Sequence, residues 1–169
     1  MSQRIKLLLS LMGCILLTQC EKDDVCVEGD TALLHIAFYD KDATDEQPQP
    51  KAVNKLRVIS VDEDSTVNTF TDRSTQDDIL IPLDSRKSFG DFVLISNSAT
   101  EDDLETGQIE DLRITYTPEA VYISRACGFV GQYADLEIEQ TRLTSWISSI
   151  EINNTKIDNS DEIHVSVFH

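Results

Sequence analysis

Residues 32–39 read Ala-Leu-Leu-His-Ile-Ala-Phe-Tyr, and this stretch decides the fold. Leu34, Ile36 and Phe38 occupy every second position, so an extended backbone turns all three side chains to one face. The positions between them give a mixed face of apolar and polar residues. The stretch therefore predicts a half-buried β-strand.

The same period of two recurs along most of the chain. It is present in Leu56 and Val58, in Leu112, Ile114 and Tyr116, in Val121 and Ile123, in Leu136 and Ile138, in Ile150 and Ile152, and in Ile163, Val165 and Val167. No long segment carries a helical apolar period. We therefore expect an all-β fold, an antiparallel, immunoglobulin-like β-sandwich of about 8–10 strands, with a small barrel as the alternative.

The first nineteen residues have the features of a secretory signal. Arg4 and Lys6 precede an apolar run over residues 7–17. A helix of that length would rise only about 16 Å, against a hydrocarbon core of about 30 Å. We expect residues 1–19 to be a signal peptide rather than a permanent membrane span.

The end of this segment resembles a bacterial lipobox, in which a Leu precedes the lipidated Cys by three positions. The matching residues are Leu17 and Cys20. The resemblance implies cleavage before Cys20, palmitate-type acylation there, and a lipidated tether over residues 20–25. Gln19 departs from the usual small residue, although lipoproteins of Bacteroidetes type tolerate others. The alternative is an ordinary signal peptide that leaves Cys20 in the mature chain.

The residues after Cys20 bear on the destination. Lys22, Asp23 and Asp24 resemble the export signal of Bacteroidetes-type lipoproteins. That resemblance implies the outer membrane, lipid-anchored and exposed at the cell surface. The alternative is the periplasmic leaflet.

The charge of the chain limits its partners. The formal net charge is −17, and loss of Arg4 and Lys6 with the signal would make the mature chain more acidic still. Such a chain repels nucleic acid, so we expect no nucleic-acid partner. The length suits one domain, which we place at residues 26–169.

The cysteine count predicts a disulfide. Cys14 lies in the signal segment and Cys20 is the acylation site, which leaves Cys26 and Cys127. In an oxidising compartment two remaining cysteines indicate one disulfide. A free redox pair or half of a metal site is the alternative, but a C-x-x-C spacing and a nearby His are missing. We expect no metal and no cofactor.

An arginine next to the second cysteine suggests an ion pair. If the strand alternation continues to Cys127, Arg125 points inward and needs a carboxylate. Antiparallel pairing from the disulfide brings Glu28 opposite it, with Asp30 as the second choice. The alternative is a bulge near Gly128 that turns Arg125 into solvent.

Candidate catalytic residues are few. The strand phases predict that His35 and His164 face away from the core, and Ser96 and Ser98 lack a glycine elbow. We expect no enzyme activity. The acidic loop of residues 40–50 lacks the glycine that an EF-hand requires. A weaker calcium site formed by Asp40, Asp42 and Asp45 is left open.

Two further surface features come from short patterns. Asp30-Thr31-Ala32 and Asp64-Ser65-Thr66 resemble sites that Bacteroidetes-type bacteria O-glycosylate, with Ser65 the more accessible acceptor and Thr31 at a strand start. Tyr39, Tyr122 and Trp146 could form a platform for a sugar, or they could be packing residues.

Four segments together resemble an uncharacterised family of Bacteroidetes-type outer-membrane lipoproteins known only as a domain of unknown function. They are residues 26–31, 71–74, 95–98 and 124–129. The resemblance implies a lipoprotein and supports pairing Cys26 with Cys127. It brings no assigned activity.

Two functions follow as expectations. The first is a lipid-anchored, non-catalytic interaction module of the cell envelope that binds a protein or a glycan, as an accessory to an outer-membrane complex. The second is a structural or assembly lipoprotein, such as a pilus-like or envelope-maintenance subunit. In that case the segment 162–169 is either a donated strand or a strand of its own sheet.

Overall fold

The computed structural model describes residue 26 and residues 30–44, 47–142 and 145–169. These residues form an all-β fold, which confirms the predicted β-sandwich. The strands are β1 (Leu34–Tyr39), β2 (Val53–Ser60), β3 (Ser65–Thr66), β4 (Ser74–Gln76), β5 (Asp78–Ile81), β6 (Phe89–Ser96), β7 (Thr100–Glu101), β8 (Leu104–Glu105), β9 (Gln108–Ser124), β10 (Gly128–Gln140), β11 (Ser149–Ile152) and β12 (Val165–Phe168). Three of the twelve are two-residue strands, so the number of longer strands lies within the expected range.

Two sheets make up the sandwich. The four-stranded sheet has the order β11-β12-β1-β5, and the six-stranded sheet has the order β10-β9-β6-β2-β3, with β4 paired to β2. β7 and β8 form a separate two-stranded sheet. Every pairing is antiparallel except that of β1 with β12, which is parallel.

The core lies between the two sheets and follows the predicted alternation. Leu34, Ile36 and Phe38 of β1 are all fully buried. They belong to one hydrophobic cluster with Leu94 of β6 and Ile114 of β9, which are fully buried as well. Alternating apolar residues on both sheets thus meet in one interior, as two half-buried sheets require.

β12 lies inside the four-stranded sheet, between β11 and β1. Val165 and Val167 are fully buried and pair with Ile36 and Phe38 in register. The segment that ends the chain therefore completes its own sheet, which was one of the two arrangements expected for it.

The β9–β10 hairpin extends past its neighbour. β6 pairs with β9 only from Gln108 to Thr115, whereas β10 pairs with β9 as far as Ser124. We call the hairpin end, together with the β2–β3 turn and the β5–β6 loop, the disulfide pole. The opposite end, with the β6–β9 connection, the start of β2 and the end of β12, is the distal pole.

No helix in the described part of the chain is long and apolar enough to cross a membrane.

Candidate functional site

The disulfide pole carries the predicted cysteine bridge. The Sγ atoms of Cys26 and Cys127 lie 2.00 Å apart, and their Cα atoms lie 4.9 Å apart. Cys127 is in the turn between β9 and β10. The bridge therefore attaches the segment that precedes β1 to the very end of the hairpin.

The hairpin end is apolar and exposed. Tyr122 and Phe129 are 55% and 69% exposed, and Ile123 is 36% exposed. Tyr122 and Phe129 are cross-strand partners, with ring centroids 5.4 Å apart in an edge-to-face arrangement. We call residues 121–130 the hairpin tip.

Arg125 lies in solvent. β9 ends at Ser124, and residues 125–127 form a turn, so the strand alternation does not continue through Arg125. Gly128 has a φ of +70°, which suits a glycine, and the strand register shifts between Gly128 and Phe129. The expected bulge near Gly128 is thus present, while the pair of Arg125 with Glu28 stays a prediction. Asp30 makes no salt bridge to Arg125 within the described residues, and Glu28 lies outside them.

Several other predicted residues also lie outside the described part of the chain. They are the signal peptide 1–19, the acylation site Cys20, the export residues Lys22, Asp23 and Asp24, and Asp45 of the acidic loop. Acylation, export and the ion pair of Glu28 stay predictions.

The two candidate glycosylation residues line one cleft at the disulfide pole. The cleft has a volume of about 470 Å³, and Thr31, Ser65, Asn68 and Arg86 contribute to its wall. Ser65 is exposed at the start of β3, directly after the β2–β3 turn. Thr31 is exposed too, but it precedes β1, which begins at Leu34, so the expected strand start was wrong.

Two buried tyrosines support the floor of this pole. The hydroxyl of Tyr133 donates to the Leu83 carbonyl at 2.6 Å, and that of Tyr116 donates to the Asp84 carbonyl at 3.1 Å. Their rings meet edge to face with centroids 5.2 Å apart. Burial raises the pKa of Tyr116 to about 12 and raises the pKa of Tyr133 as well. The hydroxyls thus stay neutral donors that fix the β5–β6 loop.

The distal pole has two clefts that meet at Trp146. One cleft of about 400 Å³ is lined by Trp146, Gln108 and Arg142. The other, of about 410 Å³, is lined by Trp146, Gln108, Asn54 and Asn97. The amides of Asn54, Asn97 and Gln108 belong to exposed residues around the indole. The amide oxygens of Asn54 and Gln108 accept hydrogen bonds from Thr75 and Ser96, and their NH₂ groups are donors that a ligand rich in hydroxyl or carbonyl groups can use.

Trp146 is held by the core on one side. Its ring centroid lies 6.3 Å from that of Phe38 and 5.5 Å from that of His169, and its Nε1–H points at the Leu94 carbonyl, 3.5 Å away. Tyr39 stacks on Phe168 instead. With Tyr122 at the other pole, the structure does not bring the three aromatic residues of the predicted platform together.

A buried carboxylate lies beneath this pole. Glu110 is fully buried on β9, where it pairs with Leu94, the residue whose carbonyl faces the Trp146 indole. Both of its carboxylate oxygens lack a hydrogen-bond partner among the described residues. Burial of an unpartnered carboxylate is costly, and such costs concentrate at functional sites. The sequence offered no hint of it, because Glu110 is one acid among many.

A second carboxylate, Glu105, organises the loops of the distal pole. Its Oε1 accepts hydrogen bonds from Ser98 Oγ at 2.9 Å and from the Ala99 N–H at 3.1 Å. Its Oε2 lies 3.2 Å from an Arg57 nitrogen and 3.3 Å from an Arg73 nitrogen. The Arg73 Nε also donates to Ser98 Oγ at 2.9 Å. The segments 71–74 and 95–98 therefore meet at this carboxylate.

The environment keeps Glu105 ionised. Burial alone would raise the pKa of its carboxyl, but hydrogen bonds from Ser98, Gly107, Arg73 and Ala99 outweigh burial and lower the pKa. The charged form is thus the one that the loops are built around.

The histidine prediction was wrong for one residue. His164 is fully buried rather than outward-facing and solvated. The chain between β11 and β12 returns to the start of β1, where the Leu33 N–H donates to Ser160 Oγ at 2.9 Å. His35 is partly covered, and its Nε2 lies 2.8 Å from Asp78 Oδ2. The outer face of the four-stranded sheet is therefore packed at this point.

Asp40 of the acidic loop forms an ion pair with Lys51. Asp40 Oδ1 lies 3.0 Å from Lys51 Nζ, and the pKa of Asp40 is lowered, chiefly by that hydrogen bond. Asp42 is exposed. No group of three or more His, Cys, Asp or Glu side chains in the described ranges is arranged to hold a metal ion.

The described residues define a class of protein: a disulfide-braced all-β sandwich with an apolar hairpin tip at one pole and an amide-lined aromatic site at the other. A family model matches residues 55–169, and its description is a family of unknown function, DUF6452. The chain belongs to this family. No curated protein matches the chain, and no solved structure matches it.

Proposed function

We propose that this protein is a lipid-anchored, non-catalytic interaction module of the cell envelope whose distal pole binds a glycan. The lipobox resemblance of Leu17 and Cys20 supports the anchor, and that of Lys22, Asp23 and Asp24 supports the surface of a Bacteroidetes-type outer membrane. The Cys26–Cys127 disulfide is in keeping with an oxidising compartment. A protein partner in an outer-membrane complex is the competing form of the same proposal.

One observation carries the binding role. Trp146 joins two clefts whose rims hold the amides of Asn54, Asn97 and Gln108. Glu110, whose carboxylate has no partner among the described residues, pairs on the neighbouring strand with Leu94, whose carbonyl faces the indole. An aromatic face with hydrogen-bonding groups around it matches the apolar face and the hydroxyl rim of a sugar ring. This pole is also the one farther from Cys26, so it would point away from the membrane.

The test is glycan binding by the full-length protein extracted from membranes. We expect Gln108→Ala and Asn54→Ala each to weaken binding roughly tenfold, the loss of about one hydrogen bond. Both residues are exposed, so the fold should tolerate these changes. Asn68→Ala is the matched control, because Asn68 is an exposed amide residue in the cleft of the other pole.

Trp146→Ala should abolish binding, but it also removes a packed ring, so its effect is compared with that of Trp146→Phe. Equal glycan affinity in wild type, Gln108→Ala and Asn54→Ala would contradict the glycan site. A glycan array without any binder, together with a protein crosslinked to the distal pole, would favour the protein partner.

Acylation and surface exposure are tested separately from glycan binding. Intact mass of the membrane-extracted protein tests acylation of Cys20, and protease or antibody access in intact cells tests surface exposure. The same mass spectrum reports glycosylation of Ser65 or Thr31. A mass that corresponds to an unmodified chain from Met1 would contradict the anchor.

A further inference from the structure

We infer that the hairpin tip is a membrane-contact surface, seated in the headgroup region of the bilayer that holds the lipid anchor. The inference rests on the acylation of Cys20 in the proposed function. It concerns residues 121–130, which that function does not use.

The first observation is the exposed apolar area. Tyr122, Ile123 and Phe129 are three of the large hydrophobic residues that the described chain leaves exposed. All three lie at the end of the β9–β10 hairpin, with Tyr122 and its partner Phe129 on one face and Ile123 on the other. Tyr122 and Phe129 form their edge-to-face pair in solvent. Exposed apolar side chains on both faces of a projecting hairpin end mark a contact surface.

The second observation is the charge at the tip. The chain has a net charge of −17, yet no acidic residue lies between Ala120 and Ala134. Arg125, exposed in the turn, is the one charged residue in that interval. The rest of the domain is repelled by anionic lipid, whereas the tip presents a cation that can reach phosphate while its apolar neighbours enter the interface.

The third observation is the length of the tether over residues 20–25, which is short enough to hold the hairpin tip near the membrane. Cys20 and Cys26 are six positions apart, so even a fully extended chain spans at most about 22 Å. Cys26 is bonded to Cys127 in the tip. β9 has 17 residues and is therefore about 55 Å long. The acyl chains can thus lie close to the tip but not to the distal pole.

The chemistry of the tip fits the interface. Tyrosine, like Tyr122, is enriched at the boundary between headgroups and acyl chains, and interfacial segments sit about 5–10 Å into it. The disulfide would hold the sandwich upright on this contact, with the Trp146 clefts directed outward.

The test uses the acylated full-length protein in vesicles of phosphatidylethanolamine and phosphatidylglycerol that contain a phosphatidylcholine brominated near the top of its acyl chains. Trp146 is the single tryptophan, so a Trp146→Phe background is silent. Phe129→Trp then reports on the tip. Leu104→Trp is the matched control, because Leu104 is also 69% exposed but lies at the distal pole.

We expect the bromolipid to quench the Phe129→Trp fluorescence, more strongly than a lipid brominated near the chain ends, and to leave the Leu104→Trp fluorescence unchanged. Circular dichroism spectra matching the wild type would show that both variants are folded. Absence of quenching at position 129 in protein whose mass shows the acyl chains would overturn the membrane contact and leave the anchor intact.

Two other outcomes would also contradict the membrane contact. A mass without acyl chains would refute the anchor of the proposed function, and the membrane contact would fall with it. The Phe129→Trp indole could instead be shielded only in native membranes, with a protein photo-crosslinked at position 129. That result would show that a protein covers the hairpin tip, and it would overturn the membrane contact.

Discussion

The backbone N–H of His35 donates a hydrogen bond to Nδ1 of the buried His164 at 3.1 Å. Nδ1 can accept only when it carries no proton, so the neutral ring is protonated on Nε2. The His164 N–H in turn donates to the His35 carbonyl at 3.0 Å. Residues 129 positions apart are thus joined through a ring that must stay neutral.

This ring should make stability depend on pH. Burial lowers the pKa of His164 from 6.5, so the unfolded chain binds the proton first as the pH falls. The stabilising contribution is complete above about pH 6.5 and is lost as the pH falls through the folded-state value. Urea unfolding at pH 7.5 and pH 5.5 measures it. His164→Gln, which can still accept but does not titrate, should lose less stability over this range.

Glu162, Asp158 and His35 also lie near the His164 ring, and all three are present in both proteins. An equal fall in unfolding free energy for wild type and His164→Gln would therefore refute the role given to His164. Between pH 7.5 and 8.5 the two proteins should show the same slope.

Removal of the Glu105 carboxylate should loosen the distal pole. Glu105→Ala leaves Arg57 and Arg73 without this partner and removes the acceptor for the Ala99 N–H. We expect a loss of about 2–3 kcal/mol in unfolding free energy, as for hydrogen bonds to a charged group. Urea unfolding at neutral pH measures it, with Glu101→Ala, an exposed acid of the neighbouring strand, as the control. A loss no larger than that of the control would contradict the network.

Replacement of Glu110 should have the opposite sign. Glu110→Met exchanges a buried carboxylate that has no partner among the described residues for an apolar side chain of similar size. We expect a gain of about 1–3 kcal/mol in unfolding free energy, because a buried polar group without a hydrogen-bond partner costs about that much. Thermal unfolding measures it, with Glu139→Met on the exposed surface as the control. Weaker glycan binding by the more stable variant would link Glu110 to the site, and a destabilised variant would refute the assignment.

Loss of the disulfide should destabilise the domain. The bridge joins residues 101 positions apart, and the chain-entropy model gives about 4.7 kcal/mol for a loop of about 100 residues, with 2–5 kcal/mol as the measured range. The double variant Cys26→Ser/Cys127→Ser should therefore have a lower urea midpoint than the oxidised wild type. Wild type under reducing conditions should match the variant. If the reductant has no effect on the wild type, the bridge is not formed.

The Tyr133 hydroxyl should contribute to the disulfide pole. Tyr133→Phe removes the donor to the Leu83 carbonyl and leaves a buried acceptor without its partner. We expect a loss of about 1–2 kcal/mol in unfolding free energy. Tyr122→Phe, at an exposed tyrosine of the hairpin tip, should change the unfolding free energy little. Equal effects of the two substitutions would argue against the hydrogen bond.

The strands could be predicted because each carries its own pattern. Leu34, Ile36 and Phe38 are buried as their spacing requires, and so are Leu112 and Ile114. Counting the cysteines predicted the bridge, since only two were left for the folded chain. The strands were predicted from local spacing and the disulfide by elimination, and neither prediction depends on which strands are neighbours.

The distal pole could not be predicted because its contacts are not local. Glu105 and Glu110 are two of 31 acidic residues, and nothing in their sequence neighbours separates them from solvated ones. Arg57 and Arg73 reach Glu105 only after β2 and β4 have paired. The predicted exposure of His164 was wrong for a related reason. Strand alternation predicts which face of the sheet a side chain is on, but not that the chain before β12 covers that face.

The pairing of β1 with β12 fixes the order in which the four-stranded sheet can be completed. β1 is the first and β12 the last of the described strands along the chain, and the two are parallel neighbours in the sheet. Until residues 165–168 arrive, Leu34–Tyr39 has a partner only on the β5 side, and its other edge is open to a second chain. Completion of the four-stranded sheet therefore depends on a contact between strands at opposite ends of the described chain, so a chain that lacks β12 would be most prone to aggregation along β1.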